Sequence, residues 1–244
     1  MKKILAYILT PIYILIFVLL LLIFHPIQMI TRWIWGYPVR KKAVDIMNFG
    51  LLYSSYILGT RITYKGLEKI PTNRPLIIVA NHQSTLDIPA VIIGFRKNHP
   101  KFISKIELGK GIPSISYNLR YGGSVLIDRK NPRQAVKDIL TLGKHIEQNN
   151  YAACIFPEGT RTKTGLVNPF QPAGIASLIK TSPSAIIVPF AIDGHYELTK
   201  NKNFPLTFGV HLKYTALDPI EPKGMDSAVL AQMIEDGIRK ELGQ

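Results

Sequence analysis

The chain is predicted to be an α/β protein, with helices around a largely parallel or mixed central sheet and an N-terminal helical membrane motif ahead of it. Three observations predict this. From Arg61 onward, short apolar runs of strand length alternate with helical patterns, the arrangement that puts helices on the faces of a sheet. Two of those runs, Leu76 to Ala80 and Ala152 to Phe156, contain no polar residue and read as strands buried on both sides. Residues 4–24 carry no charge, which is enough helix to cross a bilayer.

With 244 residues, 47% of them hydrophobic, the chain can hold one sizeable core plus a membrane appendage. Its formal net charge of +14 is concentrated: Arg61 to Lys137 holds fourteen Lys and Arg against four Asp and Glu. Such a basic face suits anionic lipid headgroups, phosphate-bearing substrates, an acidic carrier protein or nucleic acid. Cys154 is the single cysteine, so no disulfide forms within the chain. It falls in an apolar strand, where burial raises a thiol's pKa and makes it a poor nucleophile.

In chain order, Lys2 and Lys3 precede the apolar run, and Pro11 is expected to kink it. The run is longer than a signal-peptide core, and no small-residue cleavage site follows it. Arg32, Arg40, Lys41 and Lys42 lie among Trp33, Trp35 and Tyr37, the mixture found at a headgroup interface. Gly36-Tyr37-Pro38 breaks the segment, and Ala43 to Leu58 resumes as a second helix ended by Gly59. Positive charge flanks the run on both sides, so two readings fit residues 1–58: a single span, or a hairpin that enters one leaflet and returns. Residues 61–244 form the second unit, and removal of residues 1–58 is expected to leave it folded.

Within that unit, Arg61 to Lys65 and Leu76 to Ala80 read as strands joined by a turn-rich connection. Leu86 to Phe95 reads as a helix with Pro89 in its first turn. Lys101 to Ser104 and Ser124 to Ile127 are further short strands. Pro132 to Gln148 is an amphipathic helix with proline at its start. Then follow strand Ala152 to Phe156, a helix near Ala173 to Lys180, and strands Ala185 to Ala191 and Thr207 to Tyr214. A last helix, Ser227 to Leu242, places Val229, Leu230, Met233, Ile234 and Ile238 on one face.

Chemistry concentrates where two buried strands empty into polar turns. Leu76 to Ala80 runs into Asn81-His82-Gln83-Ser84-Thr85-Leu86-Asp87. His82 and Asp87 lie five residues apart across a tight turn, so the carboxylate can hold one imidazole nitrogen and leave the other to accept a proton. The second strand runs into Pro157-Glu158-Gly159-Thr160-Arg161. Gly159 allows a turn whose N–H groups face an anion, and Arg161 can grip a phosphate through two parallel hydrogen bonds.

Together the two motifs, NHQSTLD and FPEGTR, resemble the glycerolipid acyltransferase family, most closely its branch acting on 1-acyl-glycerol-3-phosphate. The resemblance spans roughly Arg61 to Glu197. It implies His82 as general base with Asp87 orienting it, and Glu158, Gly159, Thr160 and Arg161 at the acceptor site. Gly123 to Arg129 resembles a further family block, which implies that Arg129 contacts the acceptor phosphate. Ser104 to Leu108 matches a Lys-x-Glu-Leu segment that puts Lys105 near the site. Ile187-Val188-Pro189 corresponds to a block whose proline the resemblance implies to shape the acyl or cofactor pocket.

The implied reaction moves a fatty acyl group from acyl-CoA or acyl-carrier protein to the sn-2 hydroxyl of 1-acyl-sn-glycerol-3-phosphate, giving phosphatidic acid. The acyl group passes directly to the acceptor, and no bound cofactor or metal is implied. The expected partners are a lysophospholipid acceptor, an acyl thioester donor, which includes the acidic carrier protein, and an anionic membrane surface. The expected location is the cytoplasmic membrane, with the site facing the cytoplasm. Rival readings are the same chemistry on lyso-ornithine lipid or another lysophospholipid, a lipid esterase using Ser84, and a non-enzymatic basic binder. The esterase lacks a G-x-S-x-G elbow, and a nucleic-acid binder should interleave aromatics with its cations, which are sparse in aromatics between Arg61 and Lys137. The other histidines, His25, His99, His145, His195 and His211, have no partner at a diagnostic spacing and read as surface or structural.

Overall fold

A computed structural model describes residues 1–244. Its centre is a seven-stranded mixed sheet of order β1-β7-β6-β2-β5-β3-β4. The strands are β1 (Arg61–Lys65), β2 (Leu76–Ala80), β3 (Lys101–Lys105), β4 (Val125–Ile127), β5 (Ala152–Ile155), β6 (Ile186–Asp193) and β7 (His211–Ala216). β6, β2, β5, β3 and β4 run parallel, while β7 is antiparallel to β6 and parallel to β1. All five β2 side chains are fully buried. Each large one contributes about 1.5–3 kcal/mol, which is why a strand with no polar residue sits at the middle of the sheet.

Alternation along the strands divides the core in two. Leu76, Ile78 and Ala80 face α2 (Asp87–Gly94) together with Tyr13, Leu52 and Leu58 from the N-terminal segment. Ile77 and Val79 face the other way, toward α4 (Pro132–Asn149), α5 (Pro172–Thr181) and α7 (Ser227–Glu241). Two further short helices, α3 (Ile115–Tyr121) and α6 (His195–Thr199), sit in connections. The caps follow local chemistry: Asn131 accepts from the Gln134 N–H at the start of α4, and Asp226 accepts from Ala228 and Val229 at the start of α7.

The N-terminal segment α1 (Lys2–Tyr53) keeps helical dihedrals through Pro11 and Pro26 and departs from them only at Gly36, at φ 73° and ψ −156°. The expected break at Gly36-Tyr37-Pro38 is therefore where the chain turns, and glycine supplies a backbone angle that other residues adopt poorly. Beyond it the chain runs back along itself. Leu20 packs on Gly50, Leu21 on Met47 and Leu51, and Gln28 Nε2 donates to Met47 Sδ at 3.5 Å. These pairings run in opposite senses, so α1 is a hairpin of two antiparallel arms.

One face of the hairpin lies on the rest of the protein. Thr10 Oγ1 accepts from the Leu206 N–H at 2.9 Å, and Ser114 donates its hydroxyl to Leu21 O at 2.6 Å. The opposite face of the first arm exposes Ile8, Ile12, Leu15, Leu19, Ile23, Ile30 and Trp33. Arg40 and Lys41, expected at a headgroup surface, turn inward instead. Arg40 is buried and donates to Asn118 Oδ1 at 3.0 Å, and Lys41 bonds Asp45 and Arg96 O. The second arm packs against the sheet layer, so its cations follow the protein rather than solvent. Arg32 and Lys42 remain exposed.

Other departures from the sequence reading are local. β7 begins at His211 rather than Thr207, because Gly209 (φ 81°) turns the chain and gives its N–H to Leu58 O at 2.8 Å. α3 and α6 are too short for a periodic signal to reveal.

Candidate active site

The C-terminal ends of β2, β5, β3 and β4 lie side by side; NHQSTLD, FPEGTR and Arg129 follow three of these ends, and Lys105 closes the fourth. This is where open parallel sheets place their ligands. Asn81 sets the exit from β2. Its Nδ2 donates to Ile192 O at 2.9 Å and its Oδ1 accepts from the Ile192 N–H at 2.8 Å. The side chain thus imitates one more strand residue and releases the backbone at His82.

Asp87 opens α2, and its Oδ2 accepts from the N–H groups of Gln83 and Ser84 at 2.7 and 2.9 Å. The same oxygen meets His82 Nδ1 at 2.8 Å. The ring is thereby fixed with Nδ1–H toward the carboxylate, and it stacks on Phe156 with centroids 4.2 Å apart. Its Nε2 has no protein partner, and the side chain is 18% exposed. Burial pushes the Asp87 carboxyl up, but hydrogen bonds from His195 and His82 outweigh it and hold the pKa at about 2. Asp87 is therefore an anion at any working pH, able to stabilise a proton arriving on His82.

The second motif fastens the first. Glu158 Oε1 accepts from the His82 N–H at 2.6 Å, and the Thr162 N–H donates to His82 O at 2.9 Å. Glu158 Oε2 is taken by the backbone and side chain of Asn168 at 2.9 and 2.7 Å. The carboxylate of Glu158 thus faces protein N–H groups on both oxygens. Burial raises its pKa, against the pull of the His82 and Asn168 hydrogen bonds. Gly159 turns the chain at φ 68°, with its N–H on Phe156 O at 3.0 Å.

Beyond that turn Gly159, Thr160 and Arg161 are exposed, and Arg161 pairs with no carboxylate, including that of Glu158. On the neighbouring strands Lys105 ends β3 opposite Ile127 of β4, and Arg129 follows two residues later. Both are exposed and unpaired. Partial burial draws Arg129 below its ordinary value, with Glu107 opposing. The edge that carries His82 therefore presents three cations free to meet an anion. Pro189 lies buried in β6 beside Val79.

Ser84 is buried, and its Oγ accepts from the Leu86 N–H at 3.3 Å rather than meeting His82. Cys154 is buried in β5, with its thiol pKa pushed well up by burial. One residue that sequence reasoning set aside belongs here. His195, read as surface or structural, is buried with its Nδ1 2.5 Å from Asp87 Oδ1. It comes from α6, 108 positions away, so no local spacing signals it; the only hint is its place just after an apolar strand.

Comparison with known proteins agrees with this geometry. Residues 61–193 match the family model described as Acyltransferase. The chain is 23% identical over 190 residues to mouse 1-acyl-sn-glycerol-3-phosphate acyltransferase alpha, covering 77% of this chain and 65% of that one. It is 33% identical over 149 residues to a probable 1-acyl-sn-glycerol-3-phosphate acyltransferase of Mycoplasma genitalium, covering 58% and 52%. The match thus spans somewhat less than two thirds of either relative. The crystal structure of the 1-acyl-sn-glycerophosphate (LPA) acyltransferase PlsC from Thermotoga maritima superposes with a TM-score of 0.82 at 27% identity, over 100% of this chain and 97% of that one. With a family model covering more than half its residues, and both motifs at the same edge of the sheet, the chain belongs to the acyltransferase family.

Proposed function

We propose that this protein transfers a fatty acyl group from an acyl thioester to the sn-2 hydroxyl of 1-acyl-sn-glycerol-3-phosphate, giving phosphatidic acid. The observation that carries the reading is the unpartnered Nε2 of His82, backed by Asp87, on an edge that also bears Lys105, Arg129 and Arg161. His82 Nε2 removes the hydroxyl proton as the oxygen attacks the thioester carbonyl. The new C–O bond forms, the C–S bond breaks, and the imidazolium returns the proton to the departing thiolate. Asp87 holds the ring and stabilises its charge throughout. The thioester is already activated, so the acyl group needs no stop on the protein.

Arg161, Arg129 and Lys105 suit the acceptor phosphate, with Arg161 offering a two-pronged grip. The same cations suit the phosphates of coenzyme A or of an acyl carrier protein, either of which serves as donor. The exposed apolar face of the first hairpin arm supports a seat in the membrane interface, in one leaflet; the side we propose is the cytoplasmic one. The acceptor's hydroxyl then stays near headgroup depth, and no chain is drawn into water at roughly 0.8 kcal/mol per methylene.

The test offers purified protein a panel of lysolipid acceptors with acyl-CoA and acyl-carrier donors, and measures acylated product and free fatty acid together. Phosphatidic acid from 1-acyl-sn-glycerol-3-phosphate is the expected product. Preferred acylation of lyso-ornithine lipid would move the acceptor, and release of free acid alone would replace the transferase reading with hydrolysis.

A further inference from the structure

Asp87 serves two histidines, and only one of them faces solvent. Its Oδ2 takes His82 Nδ1 at 2.8 Å along with two backbone N–H groups, while its Oδ1 takes His195 Nδ1 at 2.5 Å. His195 Nε2 in turn meets the hydroxyl of Tyr214, in β7, at 2.9 Å. Asp87 and Tyr214 are fully buried and His195 is 1% exposed, so the chain of groups runs from the site into the core.

One proton arrangement satisfies every member. Tyr214 donates to His195 Nε2, His195 donates from Nδ1 to Asp87 Oδ1, and His82 donates from Nδ1 to Asp87 Oδ2. The carboxylate then has a donor on each oxygen. Backbone ties hold the second histidine in place. Gly194 starts the short helix in a left-handed conformation (φ 91°), and a Cβ there would lie 2.4 Å from His211 O. Gln83 Oε1 accepts from the Tyr196 N–H at 3.0 Å, so the base loop also grips the helix that carries His195.

We propose that His195 is a positioning residue for the transfer, fixing the orientation and charge of Asp87 through Oδ1 so that Oδ2 is presented to His82. This rests on the functional reading above for its kinetic consequence, but not for its structural one. A donor on Oδ1 stops the Asp87 carboxylate from turning about its Cβ–Cγ bond. Removing that donor frees it to turn, which loosens the orientation and the single tautomer that Oδ2 imposes on His82. The other titratable groups facing this cluster are Glu158 at the His82 N–H, Cys154 from β5, Tyr64 from β1, and Tyr13 and Tyr53 from the hairpin. None of them is altered by the substitutions below.

The experiment compares wild type with His195→Ala, His195→Asn and Tyr214→Phe, each checked for native thermal unfolding. Asparagine keeps an N–H near the position of Nδ1, and phenylalanine keeps the packed ring. His195→Ala should lower kcat roughly 10- to 100-fold, the scale of a misplaced catalytic group, with KM for the acceptor changed less than about 2-fold. His195→Asn should recover most of the loss, and Tyr214→Phe should lose only a few-fold.

Histidine ¹⁵N NMR without substrate reads the His82 tautomer directly: wild type should hold the proton on Nδ1, and His195→Ala should mix the two tautomers. A folded His195→Ala protein with unchanged kcat and an unmixed His82 tautomer would overturn the proposal, as would an asparagine variant no better than alanine. If wild type fails to acylate any acceptor, the functional reading falls and the His82 tautomer alone decides whether the pair is coupled.

Discussion

At His82, three polar atoms are held and one is left free. The N–H is on Glu158, the C=O on Thr162 and Nδ1 on Asp87, while Nε2 faces outward. A side chain fixed in this way loses little freedom when a ligand arrives. Asp87 carries a stability consequence as well as a chemical one. Its folded pKa of about 2 lies below the ordinary carboxylate value. Its contribution is therefore complete above roughly pH 4 and is lost as pH falls through about 2. Denaturant unfolding of wild type and Asp87→Asn should differ by a constant amount at neutral pH, and the gap should close in that acid window. Arg161 has no protein partner, so Arg161→Lys should cost little stability. It should raise KM for the phosphate acceptor several-fold while leaving the donor KM nearly unchanged, because lysine keeps the charge and loses the fork. A change confined to donor KM would move Arg161 to the donor's phosphates. His82 and Asp87 were legible in sequence because one turn separates them, and Arg161 because a glycine turn precedes it. Glu158 was legible as part of a motif but not in its geometry, since its partners are a backbone N–H 76 positions away and Asn168.

Elements were legible where composition decides them. The five apolar residues of β2 read as a central strand, and Pro132 marks the start of α4. The hairpin was half legible: Gly36 announces a break, but whether the arms run on or fold back depends on Leu21, Met47 and Leu51 meeting across the turn. Thr10 ties the first arm to the rest of the protein by accepting the buried Leu206 N–H. Thr10→Val keeps the shape and strands that N–H, at a cost of about 1–3 kcal/mol. The expected result is a lower thermal midpoint with unchanged acceptor KM in detergent, read by scanning calorimetry and steady-state kinetics. An unchanged midpoint would mean the arm does not bear on the fold at Thr10.

For the whole molecule, the hairpin is part of the core as well as a surface. Tyr13, Leu52 and Leu58 pack with α2 and the sheet. Removing residues 1–58 would uncover that layer, so the truncation is now expected to unfold the protein rather than release a working domain. Point substitutions on the outer face separate the two roles. Ile8, Leu15 and Trp33 are exposed, and changing all three to Ser should leave folding and turnover of a dispersed short-chain acceptor intact. Partition onto anionic vesicles should fall at least ~10-fold, since each apolar side chain seated in lipid is worth about 1.5–3 kcal/mol. Flotation of the variant with the vesicles, equal to wild type, would remove this face from the membrane contact.

The role of His82 as base for acyl transfer to a phosphate-bearing lysolipid carries the proposed function. Its most direct test is the rate of phosphatidic acid formation from 1-acyl-sn-glycerol-3-phosphate and an acyl thioester on vesicles, for wild type and for folded His82→Gln. Wild type should give product, and the variant should lose at least ~10²-fold in kcat. A His82→Gln protein that turns over within a few-fold of wild type would contradict it.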